Sequence, residues 1–109
     1  MPWIVVFALL VFCAAPAQAQ TYPAKPIHLI VPYAPGGVAD IAARLVGAKL
    51  TEALGQQVVV ENRTGGNGFI AVNAVVKAPA DGYTLLVPTV GEITINPALF
   101  KDIPYNVQR

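Results

Sequence analysis

The sequence predicts an α/β fold with a parallel sheet and flanking helices, and two observations support this prediction. Short apolar runs with strand character alternate along the chain with longer runs of helical periodicity, in the order β-α-β-α-β. The loops that follow the predicted strands carry glycines or hydroxyl side chains. Because strand–helix–strand units of this kind connect by right-handed crossovers, the order implies strands that all run in the same direction.

The first strand and helix are the clearest elements. Ile27–Pro32 is a continuous apolar run and is predicted to be a strand. A helix is predicted over Val38–Leu54, and Gly55 suits the position just beyond its end. Two apolar stripes give this helix the broad surface expected of a helix packed on a sheet. These stripes are Ile41, Leu45 and Ala48, and Val46, Leu50 and Leu54.

The second half of the chain continues the alternation. Gln57–Glu61 contains a run of valines typical of a strand that is covered on both faces. A second helix is predicted over Phe69–Lys77, followed by a turn at Ala80–Gly82 and a third strand over Tyr83–Val87. A short helix is predicted to open at Asn96, because the next residue is a proline.

Residues 1–19 are predicted to be a cleaved signal peptide rather than part of the fold. Ile4–Ala15 is apolar but too short to span a bilayer, and Ala17–Ala19 has the pattern of a cleavage site. Cleavage before Gln20 would place the mature protein in the periplasm. The signal is atypical because no lysine or arginine precedes the apolar run, and Cys13 is interpreted as part of that run.

Composition excludes several classes of function for the mature chain. All 7 lysines and arginines and all 6 acidic residues follow the predicted cleavage site, with a net charge of +1 and no run of like charge. A nucleic-acid-binding protein would carry a basic stripe. The mature chain has no cysteine, and it shows neither a nucleophile–base pair nor residues at metal-ligand spacing. We therefore expect no catalysis, no cofactor, no metal and no nucleic-acid partner.

The predicted topology brings three loops to one edge of the sheet. Pro35–Gly37, Thr64–Gly68 and Thr89–Gly91 each follow a parallel strand, and open α/β sheets bind ligands at the carboxyl ends of their strands. Gly36 and Gly37 also precede a helix, whose free amides and dipole attract anions. This edge is therefore a candidate site for a carboxylate or another small polar anion.

Structural explanations remain open for several of these residues. Gly36 and Gly37 can serve only a tight turn, and Asp40 can serve only the dipole of the helix in whose first turn it lies. Arg63 can reach the candidate site, or it can pair with Glu61 or Glu92.

The sole histidine and a glycine motif carry less functional weight. His28 lies inside the first strand and is interpreted as a strand residue, and Tyr83 as a core residue. Gly66-x-Gly68-x-x-Ala71 has the spacing of a dinucleotide fingerprint but follows the second strand and lacks the acidic residue at the required distance.

Five motifs, in order, resemble the tripartite tricarboxylate receptor family, the periplasmic solute-binding proteins also called the Bug family. The resemblance covers essentially all of residues 22–109. The motifs are Tyr22–Ile27, Val31–Gly37 with Asp40, Leu54–Gln56 with Val58–Arg63, Asp81–Leu86, and Asn96–Phe100.

The resemblance implies a type II periplasmic-binding-protein lobe in a two-lobed protein that closes over a carboxylate and delivers it to a membrane transporter. It implies that the loop after the first strand binds a ligand carboxyl group largely through its backbone. Together with the third loop of the candidate site, the predicted ligand-binding residues are Tyr33, Ala34, Pro35, Gly36, Gly37, Asp40, Thr89 and Gly91.

Two departures from the family leave other functions open. Members are two to three times longer, so residues 20–109 would form only the N-terminal part of the first lobe, truncated before the second. Glu92 stands where many members of the family are expected to have a small or neutral residue, and it would disfavour an anion or pair with an ammonium or amide group. The alternatives are a small exported α/β enzyme that uses the glycine-rich edge as an anion site, and a truncated product without function.

Overall fold

A computed structural model describes residue 3 and residues 16–108 of the chain. The predicted apolar segment of the signal peptide, residues 4–15, lies outside this part, and residues 16–22 are exposed and without helix or strand. Among the described residues, no helix is both long enough and apolar enough to cross a membrane.

The described part of the chain alternates strands and helices as predicted. The strands are β1 (Ile27–Val31), β2 (Val58–Asn62) and β3 (Thr84–Leu86), and the helices are α1 (Val38–Leu54), α2 (Phe69–Lys77) and α3 (Asn96–Leu99). A single 3₁₀ turn, Gly66–Gly68, precedes α2, and a π-helical turn, Gly91–Ile95, runs directly into α3.

The three strands form a parallel sheet in the order β2-β1-β3. The central strand β1 is the most buried of the three, with Ile27 and Val31 at 2% and 0% exposure. Ile27, Leu29 and Val58 form the core cluster, against which Tyr83 packs, in line with its interpretation as a core residue. The register aligns Ile30 with Glu61 on one side and with Leu86 on the other. All three strands therefore end at the same edge of the sheet.

The valine run predicted that β2 is covered on both faces, and this prediction was wrong. β2 lies at an edge of the sheet, and only Val58 is buried, whereas Val59 and Val60 are half-buried. A run of β-branched residues favours a strand but does not distinguish a central position from an edge position.

The prediction of which face of α1 packs on the sheet was wrong for all of the named residues except Leu50, which packs against the core cluster. Ile41 and Leu45 are 53% and 67% exposed, whereas Ala43 and Gly47 are buried. A Cβ atom on Gly47 would lie 3.4 Å from Cγ1 of Val58, which shows how closely the helix approaches the sheet. Small side chains permit this approach and occupy the inner face. Larger apolar side chains of both predicted stripes, namely Ile41, Leu45 and Val46, are more than half exposed.

Both ends of α1 follow local signals. Gly37 is the N-cap residue, and Gly55 ends the helix in the left-handed conformation (φ 70°), with its amide bonded to the carbonyl of Thr51. The hydroxyl of Thr51 also accepts a hydrogen bond from the amide of Val58. The helix end is thereby joined to the start of β2.

Candidate functional site

The loop between β1 and α1 is organised around the buried carboxylate of Asp40. One oxygen accepts hydrogen bonds from the Gly36 amide (2.9 Å) and the Arg44 Nε (3.0 Å), and the other from the Asn62 side chain (2.9 Å). The Arg44 hydrogen bond, with those from Gly36 and Asn62, lowers the pKa of Asp40 to about 2. Asp40 is therefore an ionised group whose hydrogen bonds tie the loop to α1 and β2.

These contacts use amides that the sequence analysis expected to be free. The Gly36 amide donates to Asp40, and the Gly37 amide donates more weakly to the carbonyl of Ala34 (3.4 Å). The left-handed residue is Gly36 (φ 89°), whereas Gly37 has φ −76°. The anion at the start of α1 is thus the protein's own carboxylate, a favourable position for negative charge.

Asn62 and Arg44 are contributors that the sequence analysis did not identify. The Asn62 amide group donates to the backbone carbonyl of Tyr33 (2.9 Å) as well as to Asp40, and its oxygen accepts from Arg44 (3.2 Å). Asn62 therefore joins the end of β2 to the loop after β1. The i, i+4 spacing of Asp40 and Arg44 was a signal for their pair, since residues at that spacing are neighbours on a helix.

A second network joins the loops after β1 and β3 through Glu92. Its carboxylate accepts hydrogen bonds from the Tyr33 hydroxyl (2.7 Å) and from the amide and hydroxyl of Thr89 (2.8 and 3.1 Å). The Tyr33 and Thr89 hydroxyl oxygens lie 2.7 Å apart, so the single Thr89 hydroxyl proton is shared between Tyr33 and Glu92. Glu92 is only 2% exposed and belongs to the π-helical turn, a distortion that is common at functional sites.

Ionisation of this network is set by competing effects. Burial would raise the pKa of Glu92, but the hydrogen bonds from Thr89 and Tyr33 outweigh it and hold that pKa below its ordinary value. The hydrogen bond with Thr89 would lower the pKa of Tyr33, yet burial and the Glu92 carboxylate together raise it. Glu92 is therefore charged at neutral pH, and Tyr33 keeps its proton.

The glycine-rich loop after β2 packs directly on Glu92. Gly68 is buried with φ 86°, and a Cβ atom there would lie 2.9 Å from Cγ of Glu92. The side chain of Asn96 donates to the backbone carbonyl of Asn67 (2.8 Å), which attaches the loop to the start of α3. All three loops at this edge of the sheet are thereby connected.

The loops enclose an open cleft of about 480 Å³. Three of the residues predicted to bind ligand line it, namely Tyr33, Ala34 and Gly91; Pro35, Gly36, Gly37, Asp40 and Thr89 are not among its lining residues. Beyond the predicted set, it is lined by Pro32, Thr64, Gly65, Asn67, Gly68, Glu92, Ile95, Asn96, Leu99 and Phe100. The first loop therefore contributes residues closer to β1 than the glycine pair, and α3 adds an apolar wall.

The charge of the cleft differs from that expected of a simple anion site. Among its lining residues, Glu92 carries the one charged side chain, and lysine, arginine and histidine are absent from that set. A carboxylate in this cleft would therefore be held by backbone and neutral polar groups rather than by a cation. The described part of the chain also holds no group of three side chains suited to a metal ion.

Arg63 and His28 lie away from the cleft. Arg63 pairs with Glu61 at 3.2 Å, and His28 Nδ1 lies 2.7 Å from the other oxygen of the same carboxylate. The hydrogen bonds from His28 and Arg63 lower the pKa of Glu61. The structure thus pairs Arg63 with Glu61, and it places the histidine in a strand, where it was predicted.

Comparisons with known proteins match this chain to one family. Residues 42–109 match the family described as tripartite tricarboxylate transporter family receptor. Over 95 residues the chain is 47% identical to Protein BugT of Bordetella pertussis, covering 86% of this chain but 29% of BugT.

Solved structures are similar over the same part. The chain resembles Rpa4515 of R. palustris, solved with adipate, with a TM-score of 0.75 and 39% identity over 80% of this chain and 29% of that one. It also resembles MatC of Rhodopseudomonas palustris, solved with malate, with a TM-score of 0.77 and 35% identity over 81% of this chain and 30% of that one.

These matches agree with the fold described above. The chain has the α/β fold of part of a periplasmic binding protein, and it spans about 30% of the length of the relatives that it matches. The family match covers more than half of the chain, and the identities extend over most of the remainder. The chain belongs to the tripartite tricarboxylate transporter receptor family.

Proposed function

We propose that residues 20–109 form the N-terminal part of the first lobe of a periplasmic solute-binding receptor for a small carboxylate. The ligand binds in the cleft at the carboxyl ends of the strands and is delivered to the membrane subunits of a tripartite tricarboxylate-type transporter. The observation that carries this proposal is the cleft itself, because its walls come from all three loops that follow the parallel strands.

The predicted ligand-binding residues take two roles in this proposal. Tyr33, Ala34 and Gly91 line the cleft and are in position to contact the ligand. Four of the remaining predicted residues support those three. Gly37 donates to the Ala34 carbonyl, and the Thr89 hydroxyl bonds to Tyr33 and accepts from the Gly91 amide. Asp40 fixes the turn by accepting from the Gly36 amide. Relatives solved with adipate and malate support a small carboxylate as the ligand class.

The proposed periplasmic location rests on the signal peptide and on the family. We expect a mature N-terminus at Gln20, because Ala17 and Ala19 offer the small side chains of a cleavage site in an exposed segment. Intact mass spectrometry of the protein from a periplasmic extract checks this, allowing for cyclisation of the N-terminal glutamine. A product that retains Met1, or that carries a lipid on Cys13, would contradict the prediction.

Ligand binding can be tested on the chain itself by nuclear magnetic resonance. Malate and adipate, added at millimolar concentrations to the ¹⁵N-labelled protein, are expected to shift the amide signals of Gly65, Gly68 and Gly91 in a saturable manner. These amides belong to cleft-lining residues from two different loops. Gly55, at the far end of α1, provides an internal control that should not move.

The site of the shifts decides between the cleft and the glycine pair. Saturable shifts centred on the cleft amides support the proposal. Shifts centred on Gly36 and Gly37 with the cleft unaffected would place the ligand at the start of α1, where the motif alone predicted it. If neither malate nor adipate causes saturable shifts, the result would argue against a carboxylate receptor.

A further inference from the structure

The charge of the cleft wall provides an inference about ligand selection that rests on the proposed function. Glu92 is buried, yet it makes no ion pair in the described part of the chain, where every salt bridge involves another carboxylate. Its oxygens are held by a hydroxyl of Tyr33 and by two groups of Thr89, all of them neutral. The negative charge is thus stabilised in place but not neutralised.

The position of this charge gives it an effect on the ligand. Glu92 is one of the residues that line the cleft, and the described lining residues include no cationic side chain. Charges interact more strongly beside a protein wall than in water, because the effective dielectric constant is lower there. A ligand with carboxylates alone would be repelled by Glu92, whereas a cationic nitrogen on the ligand would be attracted.

Hydrogen-bonding capacity points in the same direction. An ionised carboxylate can accept about four hydrogen bonds. Glu92 accepts one from the Tyr33 hydroxyl and one from the Thr89 amide, and a third when the Thr89 hydroxyl turns to it rather than to Tyr33. It cannot donate one, so it offers nothing to a second carboxylate. The Tyr33 hydroxyl, which would otherwise be a donor to a ligand anion, is engaged with Glu92 at 2.7 Å.

We propose that Glu92 is a specificity-determining residue, which makes this cleft prefer a carboxylate that carries an ammonium group over one that does not. Its buried charge excludes a second carboxylate from the part of the wall formed by Tyr33, Gly68 and Gly91, and it provides a counter-charge for a protonated amine. The remaining carboxylate of the ligand is held by backbone groups of the loops.

Aspartate and succinate provide a matched test, since they share a four-carbon diacid skeleton and differ by the ammonium group. Both are titrated at neutral pH into the ¹⁵N-labelled protein, with Gly65, Gly68 and Gly91 as reporters. We expect the wild-type protein to bind aspartate at least about fivefold more tightly than succinate, a modest effect for one charge at a protein wall. This measurement on the wild-type protein does not depend on the folding of any variant.

Glu92→Gln removes the charge with little change of size and is expected to bring the two affinities within about twofold of each other. Glu52→Gln is the matched control, because Glu52 is exposed on α1 and pairs with Lys49. This control should keep the wild-type preference. Circular dichroism melts establish that both variants are folded before the titrations are compared.

The possible results separate this inference from the proposed function. Saturable binding of succinate as tight as that of aspartate, or an unchanged preference in a folded Glu92→Gln variant, would overturn the inference and leave a carboxylate receptor intact. If none of aspartate, succinate, malate and adipate binds in a saturable manner, the result would overturn both the inference and the proposed function. Preference for aspartate that is lost only in Glu92→Gln supports both.

Discussion

Replacing Gly68 with alanine is expected to lower the free energy of unfolding by about 2–5 kcal/mol, combining the costs of a left-handed residue and of overpacking. Gly68 has φ 86°, and the added Cβ would lie 2.9 Å from Cγ of Glu92. Glu92 cannot easily move aside, because Tyr33 and Thr89 hold its carboxylate. The variant should therefore disturb the cleft as well as the stability.

Urea unfolding followed by circular dichroism measures this loss, and Gly55→Ala provides the matched control. Gly55 is also left-handed (φ 70°), but nothing lies within 4 Å of where its Cβ would be. The free energy of unfolding of that control is expected to fall only by the cost of the left-handed conformation, about 1–2 kcal/mol. Equal losses in the two variants would mean that Glu92 relaxes away from Gly68 and does not form a rigid wall.

Replacing Asp40 with alanine is the second change expected to have a large effect. The substitution removes the carboxylate that accepts hydrogen bonds from the Gly36 amide, the Asn62 side chain and the Arg44 guanidinium. These three donors then lose their buried partner, which destabilises the fold. We expect Tm to fall by at least about 5 °C, which is a moderate loss for a domain of this size. Asp102→Ala is the control, since Asp102 is exposed, and it should leave Tm unchanged.

The dependence of stability on pH provides an independent readout of Asp40. Its pKa is about 2 in the folded protein against an ordinary value of 3.8, so the unfolded chain binds the proton more tightly. The stabilisation is complete above about pH 4 and is lost as the pH falls towards 2.

Asp40→Asn should flatten this part of the stability curve. Because the pKa values of Glu61 and Glu92 are also lowered, the informative quantity is the difference between wild type and variant. Parallel curves for the two proteins over this range would show that Asp40 does not stabilise the loop through its charge.

Helix and strand positions depended mainly on local signals and were largely predictable from the sequence. The predicted bounds of α1 and α2 agree with the structure, because Gly55 ends the first helix and Gly68 precedes the second. The bounds of β2 and β3 differ from prediction by a residue at each end. The parallel arrangement followed from the order of elements, since the handedness of the crossovers permits few alternatives.

The candidate site was predictable only in its location. The alternation of elements indicated that three loops meet at one edge of the sheet, and the cleft lies there. The sequence indicated that the glycine pair would bind an anion, but it could not show that Asp40 already occupies the Gly36 amide. The π-helical turn that carries Glu92 has no comparable local signal, because its bond from Asn96 to Gly91 spans one residue more than an α-helical bond.

The sequence by itself determined the fold class, the order of the elements and the edge of the sheet where a ligand would bind. Tertiary structure decided which face of α1 packs inward, because close approach favoured Ala43 and Gly47 over the larger apolar stripe. It also decided the partners of the buried carboxylates, Asn62 for Asp40 and Tyr33 for Glu92. Periodicity and capping act between near neighbours, whereas these partners are 22 and 59 residues apart and meet only when the sheet forms.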